Sequence, residues 1–186
     1  AETFAISNNI AYITRAYTEL PIAEGNCGIN ATWAFYANGK LVISGSGAMD
    51  DFANRDAQPW AVFREQITDI VIGKDITHIG KYAFAYAYNV KSITFEEDSK
   101  LESIGALSIY YMHRYLTEIV LPESVKTISG QAFGYNSNLV NVYMPESLTS
   151  IAANAFVNSK KVVLNVVEGS YAETFAKDND ISYEVE

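Results

Sequence analysis

The chain has 186 residues, 49% of them apolar, with 13 Lys plus Arg against 22 Asp plus Glu and a formal charge of −9. That length suits one ordinary domain with a sizeable core, the apolar share excludes a disordered chain, and the acidic balance argues against nucleic acid and anionic lipid as partners. A single cysteine, Cys27, excludes an internal disulfide and a cysteine-rich metal site, and no apolar run reaches the ~18 residues of a membrane span.

The sequence begins at Ala1 without Met, which fits removal of a secretion signal and equally fits a trimmed chain. Residues Ile6–Tyr17 (ISNNIAYITRAY) read as a strand or an irregular lead-in. Further on, Asn38-Gly39 sits between TWAFYA and KLVIS. This pair is the usual content of a two-residue type I′ turn, in which both central residues need positive φ. Trp33–Ala37 is therefore expected to pair antiparallel with Lys40–Ser44, and Gly45-Ser46-Gly47 to end the second strand. Ala48–Pro59 reads as a loop and Trp60–Gln66 as one short helical turn.

From Ile67 the sequence repeats itself. Leu116–Asn138 (LTEIVLPESVKTISGQAFGYNSN) aligns with Leu139–Lys161, with Ile67–Asn89 and, allowing three extra residues, with Val90–Tyr115. Each copy carries an apolar-x-x-apolar-x-apolar run: Ile67, Ile70, Ile72; Val90, Ile93, Phe95; Leu116, Ile119, Leu121; Leu139, Val142, Met144. The last two of each trio are two residues apart, on one face of a short strand. A second apolar pair follows, then a small residue beside a bulky one, as in Ala83-Phe84, Ser108-Ile109, Ala132-Phe133 and Ala155-Phe156. One repeat contributes too few buried side chains to offset the entropy of ordering its backbone, so neighbours must stack. The expected fold is an α/β solenoid, mostly short strands with short helical turns. Its parts are an N-terminal β-hairpin cap region (1–66), four repeats (67–89, 90–115, 116–138, 139–161) and a C-terminal cap (162–186) within one continuous domain. In the last part Val162–Val167 is a strand, Gly169–Lys177 a helix with Ser170 as N-cap and Glu173 at N3, and Ile181–Val185 a closing strand.

The pattern L-x-x-I-x-L-P-x-S-V-x-x-I-x-x-x-A-F, as it stands from Leu116 to Phe133, resembles the BspA-like leucine-rich repeat. The segment CGINATWAFYANGKLVISGSGAMDDF and the closing EGSYAETFAKDNDISYEVE resemble the units that flank such repeats. The resemblance implies a leucine-rich-repeat solenoid in a secreted or cell-surface protein, of the kind common in gut and oral bacteria. The implied role is non-enzymatic, adhesion or protein binding, with no catalytic residues to transfer and no cofactor. The second repeat departs from the pattern, with Ile109 in place of Phe and an insertion over Glu96–Leu101.

The catalytic inventory is thin. Cys27 reads as a buried thiol, His78 occupies a column shared with Ser103, Thr127 and Ser150, and Gly45-Ser46-Gly47 lacks the third glycine of a dinucleotide fingerprint. Two columns are candidate contact surfaces for a protein or glycan, including one derived from a host. Val71, Thr94, Val120 and Tyr143 lie on the strand face turned from the core, flanked by Asp69, Ser92, Glu118 and Asn141. Tyr86, Tyr111 and Tyr135 fall two residues after each bulky core position and should stack in a line about 5 Å apart. Both columns also have plain structural readings, as strand support and as a shield for the core. A glycan hydrolase using Asp69 and Glu118, or a spacer within a larger surface protein, are the alternatives.

Overall fold

The computed structural model describes residues 20–186; the lead-in Ile6–Tyr17 lies outside them. The described chain winds into a solenoid of parallel strands. One side is built from β4 (Asp69–Ile72), β6 (Ser92–Phe95), β8 (Glu118–Val120), β10 (Asn141–Tyr143) and β12 (Val163–Val166). A second side holds β5 (Ile76–Ile79), β7 (Ser103–Ile104), β9 (Thr127–Ile128) and β11 (Ser150–Ile151). The repeat sets the register: Ile70 lies opposite Ile93, and Ile119 opposite Val142. On the second side Ile79, Ile104, Ile128 and Ile151 form one row. All eight are buried. The third side is made of turns, whose amides bond from rung to rung: Phe84 N–H donates to Ser108 O, Ile109 N–H to Ala132 O and Phe133 N–H to Ala155 O. Phe133 and Phe156 stack inside these turns at 5.2 Å.

Before the repeats, β1 (Ala23–Asn26), β2 (Asn30–Phe35) and β3 (Lys40–Ala48) pair antiparallel. The hairpin differs from expectation by one residue of register. Phe35 faces Leu41 and Trp33 faces Ile43. The loop is Ala37–Gly39, closed by Tyr36 N–H on Lys40 O, and of the Asn38-Gly39 pair only Gly39 has a positive φ (+85°). The apolar pattern decides this. The observed register puts Trp33, Phe35, Leu41 and Ile43 on one buried face, whereas a two-residue loop would set Trp33 against Ser44. Gly45 and Gly47 do not end β3 either. With φ of +85° and +81° they bend it, so that Lys40–Ile43 pairs parallel with β4 and Gly47–Ala48 pairs with β5. A Cβ at Gly45 would meet Asn30 O at 2.1 Å, so no other residue fits that corner.

Ala61–Gln66 is a 3-10 helix, as the short turn predicted there requires. At the far end α1 (Tyr171–Asp178) starts at Ser170, whose hydroxyl accepts from Glu173 N–H, while Glu173 reaches back to Gly169 N–H. The last strand, β13 (Ser182–Val185), pairs parallel with β12.

Two buried polar residues behave oppositely. Asn136 is fully buried and satisfied: its amide accepts from Met112 N–H at 2.6 Å and donates to Ile109 O at 2.7 Å, tying the second repeat to the third. Ser108 is equally buried, in a column otherwise held by Ala83, Ala132 and Ala155, and its hydroxyl has no hydrogen-bond partner among the described residues. An orphan hydroxyl costs roughly 1–3 kcal/mol. Ser108→Ala should therefore raise the urea midpoint, with a gain of about 1 kcal/mol, whereas Phe133→Ala should cost about 3–5 kcal/mol through the cavity it leaves; urea melts of both variants against the parent check the two signs.

Candidate binding surfaces

Among the described residues the ladder of the first strand side has one break between successive rungs. β4 pairs with β6, and β8 with β10, but no ladder joins β6 to β8. At intact steps the residue before the strand, or its first residue, bonds back one rung: Lys91 N–H to Thr68 O, Val140 N–H to Thr117 O, Val163 N–H to Val140 O. At the far end of the strands Leu121 N–H donates to Tyr143 O, and Met144 N–H to Asn165 O. Between the second and third repeats, Thr117 N–H makes no such bond to Lys91 O. The extra length of the second repeat, 26 residues against 23, accounts for the break. Two of its residues lengthen the turn after β6, and that turn is held to the rung before it: Glu96 accepts from Lys74 N–H at 3.0 Å, and Lys100 pairs with Asp75 at 2.6 Å. The second side and the turn ladder continue through the same step. The result is a cleft of about 630 Å³ between β6 and β8, rimmed by Glu96, Asp98, Glu118 and Glu123 against one ammonium, Lys91.

The outward strand column is thereby divided. Val71 lies opposite Thr94, and Val120 opposite Tyr143, with the cleft between the pairs. Thr94 and Val120 are exposed, Val120 to 57%, while Val71 and Tyr143 are half-buried. Of the flanking polar residues, Asp69 accepts from Ser92 Oγ at 2.6 Å and Thr68 Oγ1 at 2.8 Å. These bonds, the first above all, hold its carboxyl below the usual range. Glu118 is exposed and lies on the other side of the break, next to Asn141.

Tyr86, Tyr111 and Tyr135 stand in line, with ring centroids 5.1 and 5.7 Å apart. Tyr110 wedges between their edges, 5.5 Å from Tyr86 and 5.3 Å from Tyr135. Tyr88 and His113 extend the patch, and Arg55 lies over Tyr86 at 4.5 Å. All three aligned tyrosines have left-handed backbones, φ 65°, 63° and 59°, as does Asn158 in the fourth repeat at 60°. Tyrosine pays strain in that region where asparagine or glycine pays little. Their amides hold the conformation by bonding to the next rung, Tyr86 N–H to Tyr110 O and Tyr111 N–H to Gly134 O. Tyr88, Tyr110 and His113 belong to this patch although the repeat alignment gave them no part. The run Tyr110-Tyr111 in the enlarged repeat was the available signal.

A polar alignment also escaped the sequence reading. His78 Nδ1 lies 2.7 Å from Ser103 Oγ, and its Nε2 lies 3.5 Å from Asp51 Oδ1. The Lys81 backbone amide, 2.6 Å away, and then His78 hold the Asp51 carboxyl below its ordinary range. Residues of three different rungs meet here, which no single repeat shows. The arrangement copies the order of a hydrolytic relay, but none of the three lines the cleft, and such a relay also needs a cavity and oxyanion donors. Cys27 takes no part. It is buried, and burial, with Asp50 adding to it, pushes its thiol up to about 12 from an ordinary 9.0. Among the described residues no cluster of three or more His, Cys, Asp and Glu is placed to hold a metal ion, and no helix is long and apolar enough to cross a membrane.

The family model of the BspA type leucine rich repeat region matches residues 61–176 in six copies, beyond the four tandem units at both ends. Among solved structures, a leucine-rich repeat protein from Eubacterium ventriosum superposes with a TM-score of 0.60 at 23% identity over 78% of this chain and 44% of that one. A leucine-rich repeat protein of T. pallidum gives 0.49 at 17% identity, covering 76% of this chain and 72% of that one. A leucine-rich cell surface protein from Faecalibacterium prausnitzii gives 0.39 at 14%, covering 74% and 53%. This chain thus spans less than half the length of the Eubacterium protein. No curated protein matches it.

The buried thiol has a consequence in alkali. Between pH 9 and about 12 the unfolded chain gives up the Cys27 proton that the folded chain keeps, so stability falls as pH rises through that window. The slope approaches about 1.4 kcal/mol per pH unit. Denaturation measured from pH 8 to 11 should show this loss in the parent and a shallower one in Cys27→Ala.

Proposed function

We propose that this chain, which belongs to the BspA-type leucine-rich repeat family, is a non-enzymatic module displayed outside the cell that binds protein or glycan through the outward face of its first strand side. The observation that carries this reading is the register: it aligns Val71 with Thr94 and Val120 with Tyr143, and leaves Val120 more than half exposed on a parallel ladder. Exposed apolar rows on a solenoid are contact surfaces more often than scattered surface residues are. The tyrosine patch supports a second contact area, because three bulky side chains are held in a strained conformation at its centre. The family match supports the reading of a secreted or surface location, in a gut or oral bacterium. A partial span of the Eubacterium protein's length keeps a spacer role in a longer chain as the competing reading.

Glycan arrays and immobilised extracellular host proteins should register binding by the parent, and Val71→Asp/Val120→Asp/Tyr143→Asp should weaken it at least tenfold. Unchanged binding would remove the strand face from the proposal. Chromogenic glycosides and p-nitrophenyl acetate should turn over at the uncatalysed rate; turnover lost in Glu118→Gln or Ser103→Ala would overturn the non-enzymatic reading.

A further inference from the structure

Among the described residues no ladder joins β6 to β8, which leaves two parallel strand edges facing each other. By analogy with the intact steps, β6 offers Phe95 N–H and Lys91 C=O, and β8 offers Thr117 N–H and Val120 C=O. Unpaired edges of this kind are templates for another extended chain. Every other step between successive rungs of the described residues is paired, so within the array the opening is local to the repeat that carries three extra residues. The cleft is of ligand size and walled below by Ile93, Ile119 and Leu121. Its rim is one-sided in charge. Glu96, Asp98 and Glu123 gather at the turn end and Glu118 lies along the strand, with Lys91 alone opposing them. A negative wall of that kind favours a cationic occupant and repels a second copy of a chain carrying −9.

We infer that the cleft between β6 and β8 receives an extended, lysine- or arginine-rich peptide segment of a partner protein as an added strand. The backbone of the segment pairs with the free edges, its alternate apolar side chains turn toward Ile93 and Ile119, and its cationic side chains meet the four carboxylates. Full pairing on both sides needs the two strands about two strand spacings apart, ~9.6 Å, so the edges must part as the segment enters. The uninterrupted second side and turn ladder keep the coil together while they do. The inference rests on the strand side being the contact surface, and gives its partner a chemical class.

The probe is an acetylated Lys-Val-Lys-Val-Lys-Val-Lys peptide, titrated by fluorescence anisotropy. Saturable one-to-one binding is expected, with slowed amide exchange at Phe95 and Thr117. N-methylation of alternate peptide amides should weaken it at least tenfold, because it removes strand pairing and leaves the charges. Glu118→Lys/Glu123→Lys should also weaken it at least tenfold. Deletion of Glu97, Asp98 and Tyr115, which restores the 23-residue period, should abolish binding by letting the edges pair. Absence of saturable binding, or equal affinity for the N-methylated peptide, overturns the proposal. Glu146→Lys/Glu168→Lys makes the same change of charge outside the cleft and should change peptide affinity less than threefold. Loss of peptide binding alone therefore condemns the cleft, and loss of face-dependent binding alone condemns the broader contact reading.

Discussion

Each rung of this protein hides its interior only against the rungs above and below it. Ile70 is covered by Ile93, Ile128 by Ile104 and Ile151, Phe133 by Phe156. A single repeat of 23 residues has no other shelter, so stability depends on a constant period that returns each apolar residue to the same angular position. The parallel ladders follow from that constraint, because residues that must stack bring their backbones to one strand spacing.

A coil with three bonded sides tolerates a fault on one of them. The second repeat is three residues too long, and its excess is taken up where β6 and β8 fail to pair, while β7 and β9 stay in register and the turns remain bonded. Asn136 sits at this step, accepting from Met112 N–H and donating to Ile109 O. A buried amide whose bonds are all made fixes geometry more firmly than apolar contact alone, so the turn side is secured at the rung where the strand side is open. The same repeat holds the orphan hydroxyl of Ser108. Its departures from the common pattern concentrate the irregularities of the molecule in one place, and the acidic cleft is their product.

The tyrosines carry a different cost. Three left-handed residues of this size each store on the order of 1–3 kcal/mol, held in place by amide bonds to the next rung. Packing of one ring on the next offsets part of this, and the fourth copy, with Asn158, does without the ring. A line of rings that begins and ends within the array is a local elaboration of the coil rather than a requirement of it.

The sequence by itself determined the solenoid, its rows and the residues within them. The apolar period is local, repeated and tied directly to stacking, so the partners of Ile70 or Ile104 could be read by sliding one copy onto the next. It also located the unequal repeat and the Ser170 cap. Tertiary structure alone decided the hairpin register, where burial of Trp33 and Phe35 outweighed the turn preference of Asn38-Gly39, and the bending of β3 at Gly45 onto two ladders at once. It alone decided that a turn lengthened by exposed residues would leave the strand edge beside it without a ladder, and that Asp51, His78 and Ser103 would meet. A repeat alignment compares each residue with its equivalents along the coil. It is blind to contacts between different positions on neighbouring rungs, because those depend on how far the chain has turned when it arrives there.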